Sequence, residues 1–556
     1  MTGADGWWRG AVIYQVYPRS FQDDSGDGIG DLKGITRRLP HIASLGVDAV
    51  WLSPIFTSPM ADMGYDVSDY TDIDPLFGTL ADFDALIARA HDLGLKVIVD
   101  QVLSHSSDRH PWFVESRKDR TNPKANWYVW ADCNPDGTPS NNWVSVFGGP
   151  AWEWDTRRRQ YYLHNFLASQ PDLNFHEPQV QAALLDTMRF WLDRGVDGFR
   201  LDTVNYYFHD RKLRSNPPEQ REETLPAINP YEMQDHIYSK TQPENVAWLK
   251  RVRMLLDEYD DRCAVGEVGE GRRAVQVMAE YTKGNDRLHM AYSFDMLGPQ
   301  FTADHFRSRI ENFFTGAPDG WPSWSFSNHD VPRHVTRWAE HGASQDALAR
   351  QAIAMLVAFE GTIGIYQGEE LGLPETDILY EELTDPPGIK FWPDYKGRDG
   401  CRTPMVWDAT EHGGFSAVKP WLPVKTPQLV HNVAAQEHVP GSVLNAYRAA
   451  LAFRRARPEL RRGRTAFVDL PEPVLAFHRT LGESRLTCVF NLSPEPQNLT
   501  VTGNASPVGP VQEAALSHGS LHLGPNGYIY LETVGHEALR VTSPKPTRPA
   551  KSKAQA

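Results

Sequence analysis

Three acidic residues stand at the ends of short segments that have the composition of strands. Asp202 follows the segment Gly198–Leu201, Glu267 lies at the end of an apolar run that begins at Cys263, and Asp330 comes shortly after residues 323–327. In a strand–helix barrel, catalytic groups lie at the carboxyl ends of the strands. Two carboxylates flanking a glycosidic bond are the arrangement that glycoside hydrolysis requires. The positions of these residues therefore predict that chemistry.

Arg200 lies two residues before Asp202, so both side chains point to one face of the strand. A guanidinium beside a carboxylate lowers the pKa of the carboxylate and keeps it ionised, which suits a nucleophile. The alternative is an ion pair that only closes the interior of a barrel. His105 and His329 also stand at strand ends, and this favours the catalytic interpretation.

The elements that must position these groups alternate between strand and helix. Eight segments have strand composition, and each is followed by a helical pattern or by an insertion long enough to contain one. The strand segments are residues 11–18, 47–54, 96–102, 196–204, 263–268, 290–296, 323–327 and 362–367. The helical patterns are residues 80–93, 180–194, 246–259, 303–314, 347–359 and 443–455. The alternation predicts an α/β fold, a (β/α)8 TIM barrel with insertions.

The composition along the chain predicts the domain organisation. Residues 1–103 form the first part of the barrel, 104–174 a Trp-rich irregular subdomain inserted after the third strand, and 175–463 the rest of the barrel. A polar insertion, 205–243, follows the fourth strand. Residues 464–540 have a period of two and predict a C-terminal antiparallel β domain. The Pro- and Lys-rich residues 541–556 predict a disordered tail.

The composition excludes several classes of protein. The 556 residues carry 56 basic and 71 acidic side chains, a net charge of −15, which argues against nucleic acid as a partner. The longest apolar run is far shorter than the ~20 residues that span a bilayer. The first residues lack a signal-peptide pattern. The four cysteines lie far apart without CxxC spacing, which argues against disulfides. We expect a cytoplasmic monomer or homodimer without a membrane or nucleic-acid partner.

Several short motifs occur in an order that makes a family resemblance recognisable. They are Asp100 with His105, residues 198–202, residues 266–268, Asn328-His329-Asp330, Gln-Pro-Asp-Leu-Asn at 170–174 and Tyr-Gln-Gly-Glu-Glu-Leu-Gly at 366–372. The sequence resembles glycoside hydrolase family 13, the α-amylase family, and within it the α-glucosidases and oligo-1,6-glucosidases. The resemblance runs from about residue 7 into the C-terminal domain, which is nearly the whole chain.

The resemblance implies a retaining double displacement that needs no cofactor for catalysis. Asp202 is then the nucleophile, Glu267 the acid/base and Asp330 the stabiliser of the transition state. Glu270, three residues after Glu267, is the alternative acid/base, but Glu267 follows a glycine at the strand end as in the family motif. The residues that the resemblance places around the reacting glucose are Asp62, Tyr65, His105, Phe147, Phe166, Gln170, Arg200, Thr203, His329 and Arg398.

Thr203 bears on the linkage that is cleaved. The oligo-1,6-glucosidases of this family tend to carry Val after the nucleophile, whereas relatives specific for α-1,4 links carry Thr or Ala. The resemblance therefore implies an exo-acting α-glucosidase for maltose and short or aryl α-glucosides, with transfer to acceptor hydroxyls. An oligo-1,6-glucosidase or a sucrose isomerase is the alternative enzyme. A non-catalytic relative is a remote alternative, because all three carboxylates are present.

A second motif, near the N-terminus, has the spacing of a loop for a hard cation. Asp23, Ser25, Asp27 and Asp31 offer side-chain oxygens, and Ile29 offers a carbonyl oxygen. The Glu expected at the twelfth position of an EF-hand loop is replaced by glycine. Relatives in the family bind Ca²⁺ or Mg²⁺ in this loop. A structural metal and a metal-free Asp/Gly turn both remain open at this point.

Overall fold

The computed structural model describes residues 6–220, 228–533 and 540–543. Its centre is a parallel eight-stranded sheet, and the strands are β1 (Val12–Val16), β2 (Ala49–Leu52), β3 (Lys96–Gln101), β4 (Gly198–Leu201), β5 (Cys263–Val268), β6 (Met290–Ser293), β7 (Ser323–Ser325) and β8 (Thr362–Tyr366). Strands that follow each other in the chain are neighbours up to β6, and β1 also pairs with β8. A parallel bridge between Ala291 and Pro322 joins β6 to the segment before β7 and closes the barrel. The predicted (β/α)8 barrel is confirmed.

Within the described residues, each strand of the barrel is followed by one longer helix. These helices are α1 (Leu32–Leu45), α2 (Leu80–Asp92), α3 (Pro178–Asp193), α4 (Asn245–Leu256), α5 (Ala274–Thr282), α6 (Ala303–Gly316), α7 (Gln345–Ala358) and α8 (Val443–Ala456). The sequence interpretation did not name α1, which contains Pro40, a residue that usually breaks helices. The Asp31 side chain caps α1, and Gly46 ends it with a φ of 88°.

The shorter elements lie mainly in the connections. The remaining short strands are Phe56–Thr57, Asp69–Ile73, Trp130–Ala131, Trp152–Asp155 and Gln160–Leu163. The short α-helices are Pro111–Ser116, His334–Arg337, Pro386–Lys390, Thr426–Leu429, Val433–Gln436 and Pro458–Arg462. The 3₁₀ helices are Pro18–Ser20, Pro230–Met233, Lys283–Asn285, Phe294–Leu297, Ala339–His341, Glu369–Leu371, Tyr380–Glu382 and Asp399–Cys401. The predicted strand 290–296 therefore ends earlier, at Ser293, whose side chain caps the turn that follows.

The C-terminal domain is a seven-stranded antiparallel sheet with its own apolar core. Its strands are β9 (Arg464–Phe467), β10 (Val474–Leu481), β11 (Ser484–Asn491), β12 (Gln497–Thr502), β13 (Ala505–Ser517), β14 (Ser520–Thr533) and β15 (Arg540–Thr542). The last strand extends two residues beyond the predicted end of the domain, because Val541 pairs with Val501 on β12. The predicted tail lies outside the described residues from position 544 onward.

Two predictions from composition can be compared with the described residues. The four cysteines, all within the described part of the chain, are free thiols, which agrees with the absence of CxxC spacing. Across residues 6–220, 228–533 and 540–543, no helix combines the length and the apolar character needed to cross a bilayer.

Candidate active site

Arg200 on β4 is the centre of the site. Its Nη1 lies 2.8 Å from Asp100 Oδ1 and 2.7 Å from Asp202 Oδ1, and its Nη2 lies 2.7 Å from Glu267 Oε2. Asp100 is the neighbour of Arg200 in the β3–β4 register, so the contact follows directly from strand pairing. Arg200 is completely buried. One guanidinium therefore joins the carboxylates of three adjacent strands.

Thr203, directly after Asp202 and β4, contacts both Asp202 and Glu267. The hydroxyl of Thr203 donates to Asp202 Oδ2 at 3.1 Å, and its backbone N–H donates to Glu267 Oε2 at 3.0 Å. Thr203 has a φ of 39°, a left-handed conformation that is strained for a β-branched residue. This conformation lets one residue contact both of the carboxylates predicted to react.

Glu267 is the more basic of these two carboxylates. Burial, with the nearby charges of Asp202 and Asp330, raises the pKa of Glu267 to about 8, although Arg200 acts in the opposite direction. Burial raises the pKa of Asp202 only to about 6, because Arg200 offsets part of the effect. At neutral pH this difference favours a protonated Glu267 beside an ionised Asp202. Those are the states that a general acid and a nucleophile need.

Asp330, just beyond β7, is strongly acidic. Burial alone would raise its pKa, but the positive charges around it hold the pKa below the ordinary value. Arg398 Nη1 and Arg402 Nη2 lie 3.2 and 3.1 Å from Asp330 Oδ1. His329 is buried and its own pKa is lowered well below its ordinary value, so we attribute the effect to the two arginines. Asp330 is therefore a permanent negative charge in the site.

Arg398 also closes one end of the site. Its Nη2 lies 2.9 Å from Asp62 Oδ1 and 2.7 Å from Asp385 Oδ1. The Asp62 carboxylate accepts a further hydrogen bond from Gln170 Nε2 at 3.1 Å. The Arg398 guanidinium lies 5.1 Å from the centre of the Phe147 ring. The structure thus brings together the predicted charged pair with its aromatic neighbour.

His105, His329 and Tyr65 form a buried layer beside these charges. His105 Nε2 contacts the Tyr65 carbonyl oxygen at 2.9 Å, and burial lowers the pKa of His105 to about 4. The Tyr65 ring stacks on His329 with 5.4 Å between centroids, and its hydroxyl contacts His329 Nε2. Both imidazoles are therefore neutral at pH 7, and they orient neighbouring groups without adding charge.

A cavity of about 410 Å³ connects these groups to the surface. Its lining is Asp62, Tyr65, His105, Val146, Phe147, Phe166, Asp202, Thr203, Tyr206, Ile228, Asn229, Glu232, Glu267, Gly269, Phe294, Asp330, Pro387, Phe391, Tyr395 and Arg398. Ten of the thirteen predicted site residues are in this lining. The other three, Gln170, Arg200 and His329, lie directly behind it and bind the lining residues Asp62, Asp202 and Tyr65.

The sequence interpretation missed several residues of the site. Arg402 and Asp385 bind Asp330 and Arg398 from an irregular segment with no periodic pattern. The Tyr292 hydroxyl, which donates to Glu267 at 3.3 Å, was also missed. The strand register gives the only signal for Tyr292, because it stands opposite Glu267 on the adjacent strand. Four aromatic lining residues were missed as well, because they lie outside the recognised motifs: Tyr206, Phe294, Phe391 and Tyr395.

The predicted cation loop is a turn whose carboxylates are bonded within the loop and to Ser416. Asp23 Oδ1 accepts from Gly26 N at 2.7 Å, and its Oδ2 accepts from Gly28 N at 2.8 Å and from Ser416 Oγ at 2.6 Å. The other members behave in the same way: Ser25 N donates to Asp31, and Ile29 N donates to Asp27. Within the described residues, no three acidic, His or Cys side chains converge as metal ligands. Both the structural cation and the metal-free turn therefore stay predictions.

Buried carboxylates that converge on one cavity at the carboxyl end of a (β/α)8 barrel are the arrangement found in carbohydrate-processing hydrolases. The model of the α-amylase catalytic domain matches residues 15–463 of this chain. A probable alpha-glucosidase of Rhizobium meliloti is 60% identical over 494 residues, which are 88% of this chain and 90% of that protein. An oligo-1,6-glucosidase of Parageobacillus thermoglucosidasius is 36% identical over 519 residues, 88% of this chain and 90% of that protein.

Solved structures agree with these relatives. The α-glucosyl transfer enzyme XgtA is 51% identical and superposes with a TM-score of 0.93, over 95% of this chain and 100% of that one. The trehalulose synthase MutB of Pseudomonas mesoacidophila is 32% identical, with a TM-score of 0.86 over 96% of this chain and 100% of that one. The chain belongs to the α-amylase family, glycoside hydrolase family 13. It is a glycoside hydrolase that acts on small glucosides.

The two pKa values predict a bell-shaped pH dependence. Asp202, as the predicted nucleophile, must be ionised, so kcat/KM for a small glucoside should fall as the pH drops through about 6. Glu267 must be protonated, so kcat/KM should also fall as the pH rises through about 8. The apparent pKa values of the two limbs of the pH profile describe the Asp202–Glu267 pair as a whole, since the two groups interact. Initial rates between pH 4.5 and 9.5 measure both limbs. A falling limb near pH 8 that persists in Glu267→Gln would contradict the assignment.

Proposed function

We propose that the protein is a retaining, exo-acting α-glucosidase that removes terminal α-1,4-linked glucose from maltose and from short or aryl α-glucosides. It passes the glucosyl group to water or to acceptor hydroxyls. The observation that carries the proposal is the pair of carboxylates, Asp202 and Glu267, bonded to the two terminal nitrogens of Arg200. Shared contact with one guanidinium suits the short carboxyl separation of retaining enzymes, roughly 5–5.5 Å, better than the wider gap of inverting ones.

In the first step, an Asp202 oxygen attacks the anomeric carbon and the bond to the leaving oxygen breaks. Glu267 gives its proton to that oxygen, so a β-glucosyl ester of Asp202 and an ionised Glu267 remain. In the second step, the oxygen of water or of an acceptor hydroxyl attacks the same carbon and the ester bond breaks. The proton of the incoming group passes to Glu267, which restores both starting states.

Asp330 has a separate role in this proposal. Its charge is fixed by Arg398 and Arg402, so it remains negative while the reacting sugar becomes positive. A carboxylate placed beforehand in a water-poor site stabilises an oxocarbenium-like transition state. In this proposal Asp330 also binds sugar hydroxyls with its second oxygen, which lies 3.3 Å from His329 Nε2.

The exo mode of action rests on the closed end of the cavity. Asp62 and Arg398 are only 5% and 11% exposed, and they form an ion pair there. A buried charged pair supplies both donors and acceptors for the hydroxyls of a terminal glucose, and in this proposal the pair and Phe147, which packs on Arg398, form the end of the cavity that receives that glucose. The chain end therefore enters first, and one glucose is released per cycle.

The alternative, a 1,6-specific glucosidase or an isomerase, shares the same glucosyl-enzyme. The difference must arise on the acceptor side, where Thr203 lies beside Asp202 and Glu267. The hydroxyl of Thr203 also contacts Ser104 Oγ at 3.0 Å, and Ser104 contacts His105 Nδ1 at 2.8 Å. Because the side chain is fixed from several sides, its shape and polarity act directly on the bound acceptor.

The acid/base assignment is tested by leaving-group dependence. Glu267→Gln should lower kcat/KM for maltose by roughly 10²–10⁴, because the sugar leaving group needs a proton. It should lower the value for 4-nitrophenyl α-glucoside much less, since nitrophenolate leaves without one. Steady-state rates with both substrates give the ratio.

Glu270→Gln is the matched control. Glu270 contacts Thr241 and Arg273 and is absent from the cavity lining, so its variant should keep the wild-type ratio between the two substrates. A leaving-group effect that appears in Glu270→Gln and not in Glu267→Gln would overturn the assignment of Glu267.

The linkage preference is tested at Thr203. Thr203→Val keeps the size and β-branching but removes the hydroxyl, and it should raise kcat/KM for isomaltose relative to maltose by about threefold or more. Thr203→Ser keeps the hydroxyl and should stay near the wild-type ratio. Product analysis of both disaccharides gives the ratio directly. If the ratio is equal in wild type and Thr203→Val, Thr203 does not set the preference.

A further inference from the structure

Lys240, in the insertion after β4, is a buried ammonium group. It is 4% exposed, which is rare for lysine unless the charge is well bound. Its Nζ donates to the Tyr206 hydroxyl at 3.2 Å, the Tyr231 hydroxyl at 2.9 Å and the Gly269 carbonyl at 2.7 Å. An ammonium has three protons, so every donor is used. Neither the motifs nor the proposed catalytic roles account for this residue.

One of the three bonds reaches the backbone just beyond the acid/base. Gly269 lies two residues after Glu267, and Asn205 binds its N–H at 2.9 Å and its carbonyl oxygen at 3.1 Å. A Cβ on Gly269 would lie 3.1 Å from the Tyr206 ring, so the ring packs directly on this backbone. Lys240 therefore fastens the insertion to the end of β5.

The other two bonds reach the wall of the cavity. Tyr206 lines the cavity and packs against Phe166 with 5.6 Å between ring centroids. Its hydroxyl lies 2.6 Å from that of Tyr231. The Tyr231 N–H donates to Asn229 Oδ1 at 3.0 Å, and Asn229 and the next residue after Tyr231, Glu232, also line the cavity. With Lys240 as the common donor, the two tyrosines and the lining residues beside them form one unit.

The charge of Lys240 is balanced without using the reacting carboxylates. Burial acts to raise the pKa of Glu270, but Lys240, Thr241 and Arg273 together lower it, so Glu270 is ionised near the ammonium. Among the described residues, the hydrogen bonds of Lys240 Nζ go to Tyr206, Tyr231 and Gly269 and not to Asp202 or Glu267. Its influence on the reaction must therefore pass through the wall that it holds.

That wall lies on the side where the leaving group departs. A general acid protonates the leaving oxygen, so Glu267 faces that side of the anomeric carbon, and the wall is attached immediately after Glu267. The same space receives water or an acceptor hydroxyl in the second step. An acceptor hydroxyl competes with water for the glucosyl group only if the acceptor is held in place, because a bound and oriented acceptor reacts faster than one that arrives by diffusion.

We propose that Lys240 is a positioning residue that holds Tyr206 as the acceptor wall and thereby sets how the glucosyl-enzyme divides between acceptor hydroxyls and water. The inference rests on the proposed function. With the wall in place, the acceptor oxygen attacks the anomeric carbon, the bond to Asp202 breaks and Glu267 takes the acceptor proton. Water follows the same course but needs no wall.

The test uses 4-nitrophenyl α-glucoside as donor and benzyl alcohol as an aromatic acceptor. Nitrophenol counts all turnovers and free glucose counts hydrolysis, so their difference is transfer. Lys240→Met keeps a long side chain and removes the three donors. Its fraction of transfer should fall at least about threefold, whereas kcat/KM for nitrophenol release should fall less than transfer does.

Lys250→Met is the matched control, because Lys250 is 44% exposed on α4 and forms an ion pair with the exposed Asp286, away from the cavity lining. It should keep the wild-type fraction of transfer. Tyr206→Phe removes the hydroxyl that accepts one of the three hydrogen bonds of Lys240, and it should also lower the fraction of transfer. This variant provides the test if Lys240→Met does not fold.

An unchanged fraction of transfer in a folded Lys240→Met overturns the proposal. If nitrophenol release and transfer fall by the same factor, the fraction is also unchanged, and Lys240 then has only a structural role. A wild-type protein that hydrolyses the donor but transfers nothing also overturns it, while the hydrolytic function stands. A wild-type protein that releases no nitrophenol contradicts the proposed function itself.

Discussion

The buried guanidinium of Arg200 is the constraint on which the rest of the site depends. Asp100, Asp202 and Glu267 come from three adjacent strands and are buried, so the guanidinium of Arg200 supplies the positive charge that offsets theirs. Removing one partner of such a buried cluster costs roughly 3–5 kcal/mol, because an uncompensated charge remains. The register of β3, β4 and β5, which places Arg200 beside Asp100 and one strand from Glu267, is therefore part of the chemistry as much as of the fold.

Unequal surroundings then give similar carboxyl groups different roles. Asp330 faces two arginines and stays ionised, whereas Glu267 has one shared guanidinium and two acidic neighbours and holds a proton to about pH 8. Asp202 lies between these extremes. Because these surroundings move the pKa values apart, one end of the barrel can hold a protonated acid and an ionised nucleophile at the same pH. The neutral histidines help by orienting Tyr65 and the strand ends without adding a charge.

The strand ends and their motifs could be predicted from the sequence, because apolar runs ended by a carboxylate are a local signal. The same holds for the barrel, whose alternation of strand and helix repeats along the chain. Arg402 and Asp385 could not be predicted, since they lie in an irregular segment and reach Asp330 and Arg398 only through the fold. The helix α1 was hidden by Pro40. Lys240 lies in no recognisable motif, so its proposed role could be inferred only from its three hydrogen bonds in the structure.

The central claim, that Arg200 keeps Asp202 ionised as the nucleophile while Glu267 keeps its proton, is tested most directly by trapping the intermediate. A 5-fluoro-α-glucosyl fluoride keeps a good leaving group but slows the second step, since the ring fluorine destabilises the positive transition state. Digestion and tandem mass spectrometry then locate the sugar. The account predicts one adduct per chain, on Asp202, and none in Asp202→Asn. An adduct on Glu267, or turnover of the fluoride by Asp202→Asn at the wild-type rate, would contradict it.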